Sequence, residues 1–109
     1  MDKYTKIIMK IKNDGKEVEF YGKKSLNNMM AFILGYTYRK WKEKDKDLVF
    51  LDGFDEFVLE YYGLQEKSGV FQNRMDIINF FSHNDEEALE NFYKLLEMFL
   101  ISKGEKIDE

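Results

Sequence analysis

The stretch Thr5-Lys6-Ile7-Ile8-Met9-Lys10-Ile11-Lys12-Asn13-Asp14-Gly15-Lys16-Glu17-Val18-Glu19-Phe20-Tyr21 decides how the fold is read. In an extended chain Thr5, Ile7, Met9 and Ile11 fall on one face and Lys6, Ile8, Lys10 and Lys12 on the other. That alternation is the pattern of a half-buried strand. Asn13-Asp14-Gly15 follows, a turn signal in which Gly15 is free to take a positive φ. Glu17 to Tyr21 alternates again, with Val18 and Phe20 inward. The stretch reads as an N-terminal β-hairpin over residues 1–24.

Beyond it the period changes to that of helices. Ser25 can cap a helix running to Lys42, whose buried stripe is Leu26, Met29, Met30, Ile33, Thr37 and Trp41. Gly35 weakens that helix and marks a close packing contact. Lys40 to Asp47 is a charged connector, and Leu48 to Leu51 is either a short third strand or an apolar lead-in. Asp52 can cap a helix from Gly53 to Tyr62 with Phe54, Phe57, Val58 and Tyr61 inward, ended by Gly63. Leu64 to Asn73 reads as a loop and Arg74 to Phe81 as a short helix with Met75, Ile78 and Phe81 inward. Asn84 and Glu87 form a capping-box signal that opens a last helix to Ile101, striped by Ala88, Phe92, Leu95, Leu96 and Phe99. Residues 102–109 are a polar, frayed tail. The expected fold is α+β, a hairpin packed with about four helices in one compact domain over residues 1–109.

Composition supports a packed core. Of 109 residues, 44% are hydrophobic and 17% aromatic, including ten Phe, which is too many for a disordered chain. The absence of cysteine excludes disulfides, thiolate chemistry and cysteine zinc sites. The N-terminus lacks the pattern of a signal peptide, and the longest apolar run, Met29 to Leu34, is too short to span a bilayer. A soluble, cytoplasmic protein is expected. Net charge is −4, unevenly spread: residues 1–44 carry eleven Lys/Arg against five Asp/Glu, and residues 45–109 carry six against sixteen. The acidic half favours a basic partner.

Signals for catalysis are few. A general-base or single-metal role can be written for His83, the only histidine. No second His or any Cys accompanies it, so it reads as a polar loop residue before a helix. Phosphate-cradling loops and the common hydrolase and metalloprotease motifs are missing. The expectation is no enzyme, cofactor, metal site or small-molecule substrate. Tyr36, Tyr38, Arg39, Lys40, Trp41 and Lys42 interleave aromatic and basic groups as nucleic-acid binders do. The end of a helix also collects cations, and the net negative charge opposes phosphate binding. Asp52, Glu56 and Glu60, four residues apart, form an acidic stripe. Like charges at that spacing cost a helix a few tenths of a kcal/mol per pair. Asp85, Glu86 and Glu87 are favoured by the helix dipole, and Glu90 can pair with Lys94.

One further pattern lies in Asp52-Gly53-Phe54-Asp55-Glu56-Phe57-Val58-Leu59-Glu60-Tyr61-Tyr62-Gly63. It continues in Ile77-Ile78-Asn79-Phe80-Phe81-Ser82, then Asp85-Glu86-Glu87-Ala88 to Phe92, Leu95-Leu96-Glu97 and Phe99-Leu100. The order resembles small immunity proteins of bacterial contact-dependent inhibition and related polymorphic toxin systems. There a Gly-Phe-x-x-Phe helix ending in Tyr-Gly precedes an Ile-Ile-x-Phe segment and an acidic helix. The resemblance covers residues 48–101, mostly at core positions. It implies a cytoplasmic protein that binds a cognate toxin domain, commonly a nuclease, and neutralises it stoichiometrically. A nuclease presents basic groups to phosphate, so Asp55, Glu56, Glu60, Tyr62, Glu86, Glu87 and Glu90 are the expected contacts, with Tyr62 as anchor. Two alternatives stand beside it. One is a nucleic-acid-binding regulator using the basic N-terminal half, and the other a phage-type inhibitor whose carboxylates mimic phosphates.

Overall fold

The computed structural model describes residues 3–42, 53–64 and 74–105. Among these the chain is all-helical, with α1 (Lys3–Asp14), α2 (Glu17–Tyr21), α3 (Leu26–Lys42), α4 (Phe54–Tyr61), α5 (Arg74–Phe80) and α6 (Asp85–Ser102). The expected α+β class is therefore corrected: the two strands of the hairpin are α1 and α2. The buried residues of α1 are Tyr4, Thr5, Ile8, Met9 and Ile11, a spacing of three and four that places them on one helical face. Ile8, assigned to the solvent side of a strand, is fully buried. Lysine interspersed at positions 3, 6, 10 and 12 is also well tolerated by helices and depleted in strands.

Asn13-Asp14-Gly15 is a helix stop and not a hairpin turn. Gly15 takes φ 65°, its N–H donates to the Lys12 carbonyl at 3.1 Å, and the Lys16 N–H donates to the Ile11 carbonyl at 3.0 Å. This is the paired hydrogen bonding of a Schellman cap, which needs a residue in the left-handed region. In α2 the four-residue spacing buries Glu17 and Tyr21 together. Val18 and Phe20, expected inward, are 54% and 52% exposed.

The later elements follow the helical pattern more closely. Ser25 accepts a hydrogen bond from the Asn28 N–H at 3.2 Å, and Leu26, Met29 and Ile33 are fully buried. Gly35 marks no close contact, because a Cβ built there meets nothing within 4 Å. The side chains of Thr37 and Trp41, the connector at 43–47, the Leu48–Leu51 segment, the Asp52 cap and residues 65–73 lie outside the described residues. Ser102 ends α6 and Glu105 still completes its cap, donating from its N–H to the Leu100 carbonyl at 3.0 Å. Residues 106–109 again lie outside the described residues.

The last helix is the spine. It packs against α3, α4 and α5 and buries Ala88, Leu89, Phe92, Tyr93, Leu95, Leu96, Phe99 and Leu100. Phe54 of α4 enters edge-on between Phe92 and Phe99, with ring centroids at 5.7 and 5.3 Å. Such contacts contribute about 0.5–1.5 kcal/mol each beyond burial, so α4 is fastened to α6 mainly by rings. The N-terminal helices are tied to the same spine by polar groups. Lys12 of α1 pairs with Glu97 at 2.7 Å and lies over the Tyr93 ring at 5.7 Å. The Tyr93 hydroxyl donates to the buried Glu17 carboxylate at 3.4 Å. Burial, then the charge of Glu17, pushes the Tyr21 hydroxyl up to about 12. That hydroxyl is near enough to Tyr93 to couple with it, but makes no hydrogen bond of good geometry. Tyr93 is raised as well, first by burial and then by Tyr21 and Glu17.

Candidate partner-binding surface

Four aromatic side chains run in a ladder across the ends of α4 and α5. Tyr61 meets Tyr62 edge-on at 5.0 Å. Tyr62 stacks on Phe81 at 4.5 Å with the rings 7° from parallel. Phe81 then meets Phe80 edge-on at 5.1 Å. Three of the rungs are open to solvent: Tyr61 and Phe81 are each 43% exposed and Phe80 is 67% exposed.

Local sequence explains why these rings face outward. Phe54 and Val58 take the buried face of α4, and the chain leaves the helix through Gly63 at φ 68°. The Leu64 N–H then donates to the Leu59 carbonyl at 2.9 Å, and both leucines pack against the core. Tyr61 and Tyr62 are left at the rim. Tyr61 was expected inward with Phe57, and the structure places it outside. In α5, Met75, Ile77 and Ile78 are buried, and the helix ends at Phe80. Phe81 therefore lies beyond the helix and not on its inner stripe. Ser82 closes the turn by donating from Oγ to the Ile78 carbonyl at 2.6 Å.

The carboxylates of α4 and of the first turns of α6 differ in availability. Glu56 and Glu60 are exposed one turn apart on α4, and neither pairs with a cation among the described residues. Asp55 is half-buried in the first turn of α4, where the helix dipole favours an acid. Glu87 is committed to a cap: the Asn84 carboxamide accepts from the Glu87 N–H at 2.8 Å, and the Glu87 carboxylate accepts from the His83 N–H at 2.9 Å. Asp85 pairs with Lys23 at 3.4 Å. Glu86 and Glu90 are exposed on the first two turns of α6, and the expected Glu90–Lys94 pair is not formed.

Of the seven residues expected to contact a partner, the structure gathers Glu56, Glu60 and Tyr62 on one helix and its cap. Glu86 and Glu90 form a second stripe on α6, while Asp55 and Glu87 have local work. Burial raises the Tyr62 hydroxyl above its ordinary value, with Tyr61 adding to the effect. Phe80 and Phe81 were missed as surface groups.

His83 is exposed and contributes its backbone to the cap. Among the described residues no group of three or more His, Cys, Asp or Glu could hold a metal, and no helix is long and apolar enough to cross a membrane. Of the interleaved segment at 36–42, Tyr36 is 45% exposed, and the side chains from residue 37 lie outside the described residues. No family model, curated protein or solved structure matches the chain.

Proposed function

We propose that this chain is an immunity protein that binds a cognate bacterial toxin domain, a nuclease, and neutralises it stoichiometrically in the cytoplasm. It acts by occupation and not by catalysis. The observation that carries the reading is the ladder Tyr61–Tyr62–Phe81–Phe80, three of its rings exposed, whose tyrosines stand on the same helix and cap as Glu56 and Glu60, which pair with no cation among the described residues. Rings held against one another are rigid before binding, so little rotamer freedom is lost when a partner covers them. Interface energy concentrates in such aromatic anchors. The flanking carboxylates match the cationic groups that a nuclease needs for phosphate, and they steer encounter. The like-charged Glu56–Glu60 spacing costs α4 a little, which is intelligible where a basic surface arrives to offset it. The acidic stripe of Glu86 and Glu90 extends the same sign of charge onto α6.

Coexpression with any toxin domain found encoded beside its gene tests the reading. The native chain protects growth. A Glu56→Lys, Glu60→Lys, Phe81→Ala variant that keeps its helicity and melting temperature loses protection. Removing one aromatic anchor costs about 2 kcal/mol or more, or roughly 30-fold in affinity, before the charge reversals are counted. Full protection by the triple variant contradicts the assignment.

A further inference from the structure

A second surface, opposite in charge, lies at the other end of the chain. The helices α1, α2 and α3 bound an open cleft of about 630 Å³. Ile7 and Ile11 of α1 form one wall, Phe32 and Tyr36 of α3 the other, and Phe20 of α2 stands between them. The rings are already arranged: Phe20 meets Phe32 edge-on at 6.0 Å, and Phe32 stacks on Tyr36 at 6.3 Å. Phe20 and Tyr36 nonetheless remain 52% and 45% exposed. A contiguous apolar patch of this kind on a folded surface marks an interaction site.

Charge decides the kind of occupant. Lys6, Lys10 and Lys16 rim the cleft, against a single acid, Asp14. Among the described residues no carboxylate pairs with Lys6 or Lys16. Lys10 pairs with Asp14 at 3.3 Å, but the two side chains are 76% and 45% exposed, and a surface pair of that kind is easily exchanged for another. A basic rim around an apolar floor, on a chain of net charge −4, complements a ligand with an apolar face and acidic flanks. The α1 wall runs from residue 6 to residue 14, which at 1.5 Å per residue is about 12 Å, or two helical turns. That length suits apolar anchors at i, i+3 or i+4, and i+7 of a helix laid into a groove. The cleft offers no sheet edge for an extended peptide. Aliphatic Ile7 and Ile11 make a poorer platform for bases than the flat rings that single-stranded nucleic acid uses.

We propose that this cleft is a second docking site, taking an acidic amphipathic helix of a partner protein. It rests on different residues from the α4–α5 surface and does not depend on the function proposed for that surface. The test uses the full chain and a fluorescein-labelled peptide of about four turns, with Leu at spacings of three and four and Glu on the flanks, followed by anisotropy. The expected result is binding with Kd below about 100 µM. Affinity should weaken at least about tenfold in Phe20→Ala and in Lys6→Glu/Lys16→Glu. Both changes are at exposed positions, and the variants should keep native circular dichroism. The matching Lys-for-Glu peptide should bind about tenfold less well or not at all. Absence of binding at about 1 mM, equal binding of the lysine peptide, indifference to Phe20→Ala, or tighter binding of a single-stranded oligonucleotide would overturn the proposal.

Discussion

Replacing Phe54 by alanine should loosen the helix that carries the acidic surface. Phe54 is fully buried and reaches Phe92 and Phe99 of α6 edge-on, with Phe57 stacked beside it at 6.5 Å. Removing a buried Phe forfeits about 1.5–3 kcal/mol of transfer free energy. The cavity left between two rings that cannot both close on it brings the loss to about 3–5 kcal/mol. A domain of this size has about 5–15 kcal/mol in total, so the variant stands near the edge of folding. Equilibrium urea unfolding by far-UV circular dichroism measures the loss. With a slope of about 1–3 kcal/mol/M, the midpoint should fall by about 2 M with the slope unchanged. Ile101→Ala, on α6 but 62% exposed, should change stability by no more than about 0.5 kcal/mol. A loss below about 1 kcal/mol for Phe54→Ala would show that α4 is not fastened to α6 through this ring, and would refute the packing argument.

Two glycine replacements should have opposite signs in the same assay. Gly35→Ala lies inside α3 with open space around the added methyl and should stabilise by about 0.5–1 kcal/mol. Gly15→Ala must hold φ near 65° and should destabilise by about 1–2 kcal/mol, whereas equal effects would contradict the helix-stop assignment. Stability should also fall at alkaline pH. The Tyr21 hydroxyl is pushed up to about 12 from an ordinary 10.0, so the folded chain keeps a proton that the unfolded chain gives up in that interval. Its contribution is complete below pH 10 and is lost as pH rises toward 12. Tyr21→Phe should make this part of the profile shallower, with Tyr93, which burial also raises, supplying what remains; an unchanged slope would count against the Tyr21 hydroxyl as a source.

Most of the chain from Ser25 onward was legible because its apolar residues satisfy only one period. Leu26, Met29 and Ile33, and Ala88, Phe92, Leu95, Leu96 and Phe99, are buried as their spacing required. Ser25 and Asn84 cap as their side-chain chemistry dictates. The N-terminal segment was ambiguous for a definite reason. Three consecutive apolar residues, Ile7-Ile8-Met9, with Ile11 beyond them, fit a period of two as well as one of 3.6. Asn-Asp-Gly then serves equally as a hairpin turn and as a left-handed helix stop. Tertiary contact resolves it, since only a helix buries Tyr4, Ile8 and Ile11 together while bringing Lys12 to Glu97. The candidate surface was half legible. Glu56, Glu60 and Tyr62 followed from the α4 pattern, but the outward Phe81 depended on α5 ending one residue earlier than its stripe suggested. The role of Glu87 was written in its capping box and is structural.

The aromatic ladder with Glu56 and Glu60 is proposed to grip one basic protein domain. The most direct measurement is a pull-down with native and variant chains as bait against the neighbouring gene products, with recovered species identified by mass spectrometry and their ratio by size-exclusion with light scattering. The native chain should retain a single basic toxin domain at equal stoichiometry, and the Glu56→Lys, Glu60→Lys, Phe81→Ala bait should release it. Undiminished retention by that variant, or recovery of nucleic acid in place of a protein, would contradict it.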